Sequence, residues 1–127
     1  MSLEFERLQA KIDAGADYVM TQPIFDNSGL LNTLKPYKDS ISVLPGVMVL
    51  NSAAHAERIA QVPGVNLPSN ILDKMKRFSD LPDQRKVGLD LAVSQAMAYK
   101  SEGWAGIYLM SPASLGAAKT VLKTLAD

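Results

Sequence analysis

Apolar positions along the chain repeat at two spacings, and each spacing predicts a kind of element. Leu3, Leu8 and Ile12 recur near one face at helical spacing, with Glu4, Glu6, Arg7 and Lys11 elsewhere, which predicts a helix over 3–14. Ser2, Glu4 and Glu6 suit its start and Gly15 its stop. The run 17–22 (Asp-Tyr-Val-Met-Thr-Gln) is a short apolar strand that ends in polar residues, and Pro23 has no amide with which to continue a ladder. Asp26, Asn27 or Ser28 then caps a helix carrying Leu30, Leu31 and Leu34, which stops before Pro36. Residues 41–50 read as a second buried strand, bent at Pro45-Gly46.

Asn51 and Ser52 cap a helix over 53–61 with Ala56, Ile59 and Ala60 inward. Residues 62–68 are turn-rich, and Ser69 caps a helix through Ile71, Leu72, Met75 and Phe78. Residues 81–84 read as a connector. A long helix follows, with Val87, Leu91, Val93, Ser94, Met97 and Ala98 as its inner side, up to Gly103. Residues 105–110 form a third strand, and Pro112 or Ser114 opens a last helix bearing Leu115, Ala118, Val121, Leu122 and Leu125.

Near-continuous apolar strands separated by helices mean α/β architecture with a parallel sheet. No linker or low-complexity tract divides the 127 residues, so a single domain is expected. Three strands are countable, four if 65–67 pairs. An open doubly wound sheet usually has more strands, and a (β/α)8 barrel needs about 250 residues, so this chain supplies about half of one. By either completion the sheet is incomplete.

Composition narrows the function classes. Thirteen basic and thirteen acidic residues balance, so no bulk charge calls for nucleic acid or an anionic membrane surface. No apolar run reaches the roughly 20 residues that span a bilayer, and the N-terminus has no signal-peptide core, so a cytoplasmic location is expected. The absence of cysteine excludes disulfides and thiolate chemistry, and a single histidine, His55, excludes a histidine-rich metal site.

Parallel α/β proteins place their chemistry at the C-terminal ends of strands. Those ends carry Thr21-Gln22, Val49-Leu50-Asn51-Ser52 and Met110-Ser111, a polar, uncharged set suited to hydrogen-bonding a heterocycle rather than to acid, base or metal work. Asn51 and Ser52 also serve as plain caps, whereas Gln22, followed by proline, has no capping task. Gln22 alternatively satisfies the loop around Pro45-Gly46. His55, near Glu57 and Arg58, is a solvated helix residue or a general base, with solvent the stronger reading. Trp104 reads as packing at the strand entrance. Lys11 is either solvated or within reach of a phosphate or ribose. No glycine-rich phosphate loop occurs.

Several segments together resemble methylenetetrahydrofolate reductases: Lys11-Ile-Asp-Ala-Gly-Ala-Asp17, then Val-Met-Thr-Gln-Pro-Ile-Phe-Asp26, Leu44-Pro-Gly-Val-Met-Val-Leu-Asn-Ser-Ala-Ala54, Val62-Pro-Gly-Val-Asn-Leu-Pro68, Val87-Gly-Leu-Asp-Leu-Ala92 and Gly106-Ile-Tyr-Leu-Met110. They follow the family's order and approximate spacing over nearly the whole chain. The resemblance implies the C-terminal half of a flavin-containing (β/α)8 (TIM-type) barrel that reduces methylenetetrahydrofolate with NAD(P)H. It implies FAD as cofactor and a folate as substrate. By the same resemblance Gln22, with Thr21, contacts substrate and Lys11 contacts flavin. The family's general-acid glutamate and flavin-side aspartate lie upstream of the matched segments, so no catalytic residue carries over. Ala53 stands where some members have a substrate-stacking phenylalanine, Tyr108 where the family has histidine, and 111–115 lacks an arginine that some members carry.

The chain is therefore expected to be a fragment or a truncated relative, inactive alone. The alternative is a non-catalytic half-barrel module that binds a pterin-like ligand or a complementary half-barrel chain. A half-barrel exposes two sheet edges and an apolar barrel-facing surface, expected to be Val19, Val43, Val47 and Ile107. Such surfaces favour a homo-oligomer or a complementary half-barrel partner.

Overall fold

The structure is a computed structural model that describes residues 3–15, 17–25, 30–37, 39–63, 65–111 and 115–126. Its elements in chain order are α1 (Leu3–Asp13), β1 (Tyr18–Pro23), α2 (Leu30–Leu34) with a 3-10 turn (Lys35–Tyr37), β2 (Ser42–Met48), α3 (Ala53–Ala60), α4 (Ser69–Lys76), α5 (Leu81–Ser101), β3 (Tyr108–Met110) and α6 (Leu115–Ala126). Among the described residues the sheet has three strands in the order β1-β2-β3, and both pairings are parallel. The α/β reading holds. Residues 65–67 do not join the sheet; Val65 and Leu67 instead pack beside Met75 and Leu50.

Alternation puts Val19, Val43 and Val47 on one face of the sheet, against Leu31 and Leu34 of α2, Ala92, Ala96 and Tyr99 of α5, and Val121 of α6. Ile107, just before β3, packs against the same core. These residues therefore do not form an exposed barrel-facing surface. They are the helix-facing core, because their side of the sheet is where the connecting helices return. The open face belongs to the alternate positions: Tyr18 is 56% exposed, Met20 48% and Tyr108 39%. Gln22 and Ser42 are exposed as well, with Leu44 and Met110 half-buried between them. A second core, Phe25, Leu50, Ala56 and Met75, lies beyond the strand ends, where α3 packs on α4 and α4 on α5.

Pro45-Gly46 does not bend β2 out of the sheet; the strand runs through both residues. The irregularity falls on β1 instead. Met20 pairs with Leu44 and Pro23 with Gly46, so Thr21 and Gln22 together oppose Pro45 alone. That is a β-bulge, in which two residues of β1 oppose one of β2.

α5 also differs from the sequence reading. It begins at Leu81, because Asp80 accepts the Asp83 amide at 3.0 Å and Pro82 sits in the first turn, where its missing N–H costs nothing. Its buried line is Gly88, Ala92, Gln95, Ala96 and Tyr99, while Met97 is 52% exposed and Ser94 is exposed. Small residues on that line let the helix approach backbone, and the larger side chains are displaced to its flanks. At α1, Gly15 ends the helix with φ +95°, as a left-handed stop requires. The proposed caps of α2 and the start of α6 fall outside the described residues. Before α4, Pro68 holds the cap position and Ser69 is the first helical residue.

The closest approach in the fold is at Gly88, where an added Cβ would stand 1.8 Å from the Leu50 carbonyl oxygen. Backbone on both sides leaves no flexible group to yield. Gly88→Ala should therefore lose about 1–3 kcal/mol of stability in urea unfolding, even though alanine is favoured by about 1 kcal/mol in a helix interior.

Candidate functional site

The C-terminal ends of β1 and β2 lie side by side, and the bulge decides how β1 presents its last residues. Gly46 N–H, which would ordinarily donate to a strand carbonyl, donates to Thr21 Oγ1 at 2.8 Å. The Thr21 hydroxyl passes its own proton to the Gln22 carbonyl at 2.7 Å. Ile24 N–H then returns to the Gly46 carbonyl at 3.0 Å. A hydroxyl is suited to this place because it accepts from one group while donating to another. A Cβ on residue 46 would lie 2.5 Å from the Gln22 carbonyl oxygen, so the junction also needs glycine there.

Thr21 is thus buried with its hydroxyl engaged inside the sheet, and Gln22 is exposed at the strand end. The Pro45-Gly46 contact reaches Gln22 through its backbone carbonyl. Lys11 is exposed in the last turn of α1, on the chain entering β1, at the end of the strand away from Gln22. Lys11 and Gln22 are not brought together. A hollow of about 610 Å³ lined by Asp17, Lys35, Asp39, Ser42 and Gly103 also lies at that entering end, away from the strand-end residues.

At the end of β2, Ser52 caps α3 by accepting the His55 amide at 3.0 Å. His55 is not on a solvated face. It is half-buried, and its Nδ1 accepts the Asn51 amide at 3.1 Å, which places the ring proton on Nε2. The Ala53 amide is taken by Gln84 Oε1 at 2.9 Å, and Gln84 Nε2 donates to the Phe78 carbonyl at 2.8 Å. Three amides at this helix start are therefore already bonded within the protein. With Nδ1 spent on a backbone amide, His55 serves the turn rather than proton transfer. Asn51 Oδ1 is buried and has no hydrogen-bond partner. Trp104 is buried, with Nε1 donating to Glu102 at 3.0 Å, in keeping with a packing role.

Gln84 and Gly88 were not legible as site residues. Their signal is positional: with Gln95 they stand four and seven residues apart, on one face of α5, where amides and a glycine interrupt an otherwise apolar line.

Comparison with known proteins decides the family. A profile described as methylenetetrahydrofolate reductase matches residues 1–126. The chain belongs to the methylenetetrahydrofolate reductase family. Methylenetetrahydrofolate reductase 2 of Saccharomyces cerevisiae is 28% identical over 120 residues, covering 87% of this chain and 20% of the yeast protein. The 5,10-methylenetetrahydrofolate reductase of Escherichia coli is 25% identical over 104 residues, 76% of this chain and 34% of that enzyme. The chain spans between a fifth and a third of the length of these two relatives. Among the described residues no helix is long and apolar enough to cross a membrane, and no group of three or more His, Cys, Asp or Glu could hold a metal ion.

Burial of His55, and secondarily the charge of Arg58, lower its pKa below the ordinary 6.5. The unfolded chain therefore binds this proton at a higher pH than the folded one. Stability that depends on neutral His55 is fully present above pH 6.5 and falls as the pH drops from there through the lowered value. Urea midpoints measured across that window should decline in the wild type. They should be flatter in His55→Gln, whose side-chain oxygen accepts the Asn51 amide without titrating.

Proposed function

We propose that this chain is the C-terminal part of a flavin-dependent methylenetetrahydrofolate reductase-like (β/α)8 barrel, in which hydride passes from NAD(P)H through FAD to a folate. In this reading the chain supplies substrate orientation. One observation carries it: the Gln22 amide stands exposed at the C-terminal end of β1, with its backbone braced by Thr21. A primary amide donates and accepts at once, the pattern a pterin edge presents, and it needs no change of protonation to do so. Thr21 serves the substrate through Gln22, by holding the bulge. Tyr18, Met20 and Tyr108 share the open face, so the same face would line the interior of a closed barrel or meet a partner half-barrel or a second copy.

A flavin supplies the two-electron chemistry in such an enzyme. Among the described residues, Lys11 is exposed at the entering end of β1, and the amides of Asn51, Ala53 and His55 at the start of α3 are taken within the protein. In this reading the flavin is held mainly by the rest of the barrel. The purified 127-residue chain, supplied with FAD, NADH or NADPH and methylenetetrahydrofolate, should show no turnover. Loss of a general acid alone removes about 10²–10⁴-fold in rate. Measurable turnover would sink the reading.

In the longer reductase that contains this segment, Gln22→Ala should weaken folate binding by roughly 1–3 kcal/mol and leave the thermal midpoint nearly unchanged. Thr21→Val should do more harm to stability, about 1–3 kcal/mol, because it strands the buried Gly46 amide. Calorimetric titration and thermal melts of the two variants separate the roles. A melt that falls sharply for Gln22→Ala while affinity holds would convict a structural role.

A further inference from the structure

The helix-facing interior has two buried polar side chains among the described residues, Thr21 and Gln95. Both bond to the backbone that flanks Gln22. Thr21 holds the Gln22 carbonyl at 2.7 Å. Gln95, 71 residues further along the chain, donates from Nε2 to the Ile24 carbonyl at 2.9 Å. The two peptide units that meet at Ile24 are thereby each held, the first through the Ile24 N–H by the Gly46 carbonyl of β2 and the second through the Ile24 C=O by α5.

Gln95 is 5% exposed, and its Oε1 is buried without a hydrogen-bond partner among the described residues. An orphaned amide oxygen costs stability, so an apolar side chain of the same length would suit this core better if packing were its whole task. What the amide supplies is direction, since a buried donor on the Ile24 carbonyl favours one orientation of the Ile24–Phe25 peptide plane. Two residues separate that plane from Gln22, and a bulged, proline-ended strand has few other restraints there.

We propose that Gln95 is a positioning residue, which sets the orientation of Gln22 toward its ligand by clamping the Ile24 peptide from α5. The proposal rests on the reading of Gln22 as a folate contact. It differs from a plain core role in one consequence: removing the clamp should matter for the ligand only while the Gln22 amide is there to be aimed.

The test is a double-mutant cycle in the longer reductase, with methyltetrahydrofolate as the probe. Gln95→Met, close in length and without the amide, should raise Kd about tenfold, the equivalent of one lost hydrogen bond. The double variant Gln22→Ala/Gln95→Met should bind no more weakly than Gln22→Ala alone. Factors that multiply in the double variant, or an unchanged Kd in Gln95→Met, would overturn the proposal. If Gln22→Ala itself leaves Kd unchanged, the folate reading of Gln22 fails and ligand-free amide exchange decides. Faster exchange confined to Ile24 and Gly46 in Gln95→Met supports the clamp, and unchanged or uniformly faster exchange removes it. Should Gln95→Met not fold, Gln95→Glu replaces it. Its buried carboxyl donates to Ile24 when protonated and repels that carbonyl when ionised, so affinity should be retained at acid pH and lost as pH rises. A flat profile would count against the clamp.

Discussion

The β-bulge in β1 is the constraint on which the rest of this structure depends. Thr21 and Gln22 together oppose the single residue Pro45 of β2. The Gly46 amide that follows meets a threonine hydroxyl in place of a backbone carbonyl. Three residue types follow from this single defect. Thr21 must both accept and donate, residue 46 must lack a Cβ, and Gln22 is left at the end of the strand with its backbone held and its side chain outside.

α5 is the second half of the same device. It crosses the back of the sheet and reaches the chain beyond both strand ends. Gln84 takes the first amide of α3, Gly88 lies against the Leu50 carbonyl, and Gln95 takes the Ile24 carbonyl. These are backbone contacts, so they set where the loops run rather than how tightly side chains fill space. The two cores meet along this helix: Ala92, Ala96 and Tyr99 belong to the one under the sheet, and Val87 and Leu91 pack on the one beyond it. A displacement of α5 would therefore be felt at both strand ends together.

The opposite face of the sheet has no such support within the described residues. Tyr18, Met20 and Tyr108 present large side chains to it. In the methylenetetrahydrofolate reductase family this chain corresponds to a fifth to a third of the two relatives compared, and in the proposed function that open face is where a folate lies. The chemistry placed there is uncharged and hydrogen-bonding.

Local pattern was enough to predict the parallel α/β arrangement, the three strands to within a few residues, the Ser52 cap and the family. Periodicity, proline positions and motif order are properties of neighbours in the chain, so they can be read from it. Gln22 also stood out, because a polar residue before proline at a strand end has no local task. What local pattern could not decide was which face of the sheet the helices cover. Val19 and Met20 are both apolar, and only the return path of α2, α5 and α6 buries the first and exposes the second. Nor could it decide that the buried line of α5 runs through Gly88 and Gln95 rather than Val87 and Ser94, or that His55 turns inward to Asn51. The contacts that seat α5 join partners 31 and 71 residues apart, at Gln84 and Gln95. A hydrogen bond to distant backbone leaves no periodic trace in the sequence, and it exists only once the helix has docked.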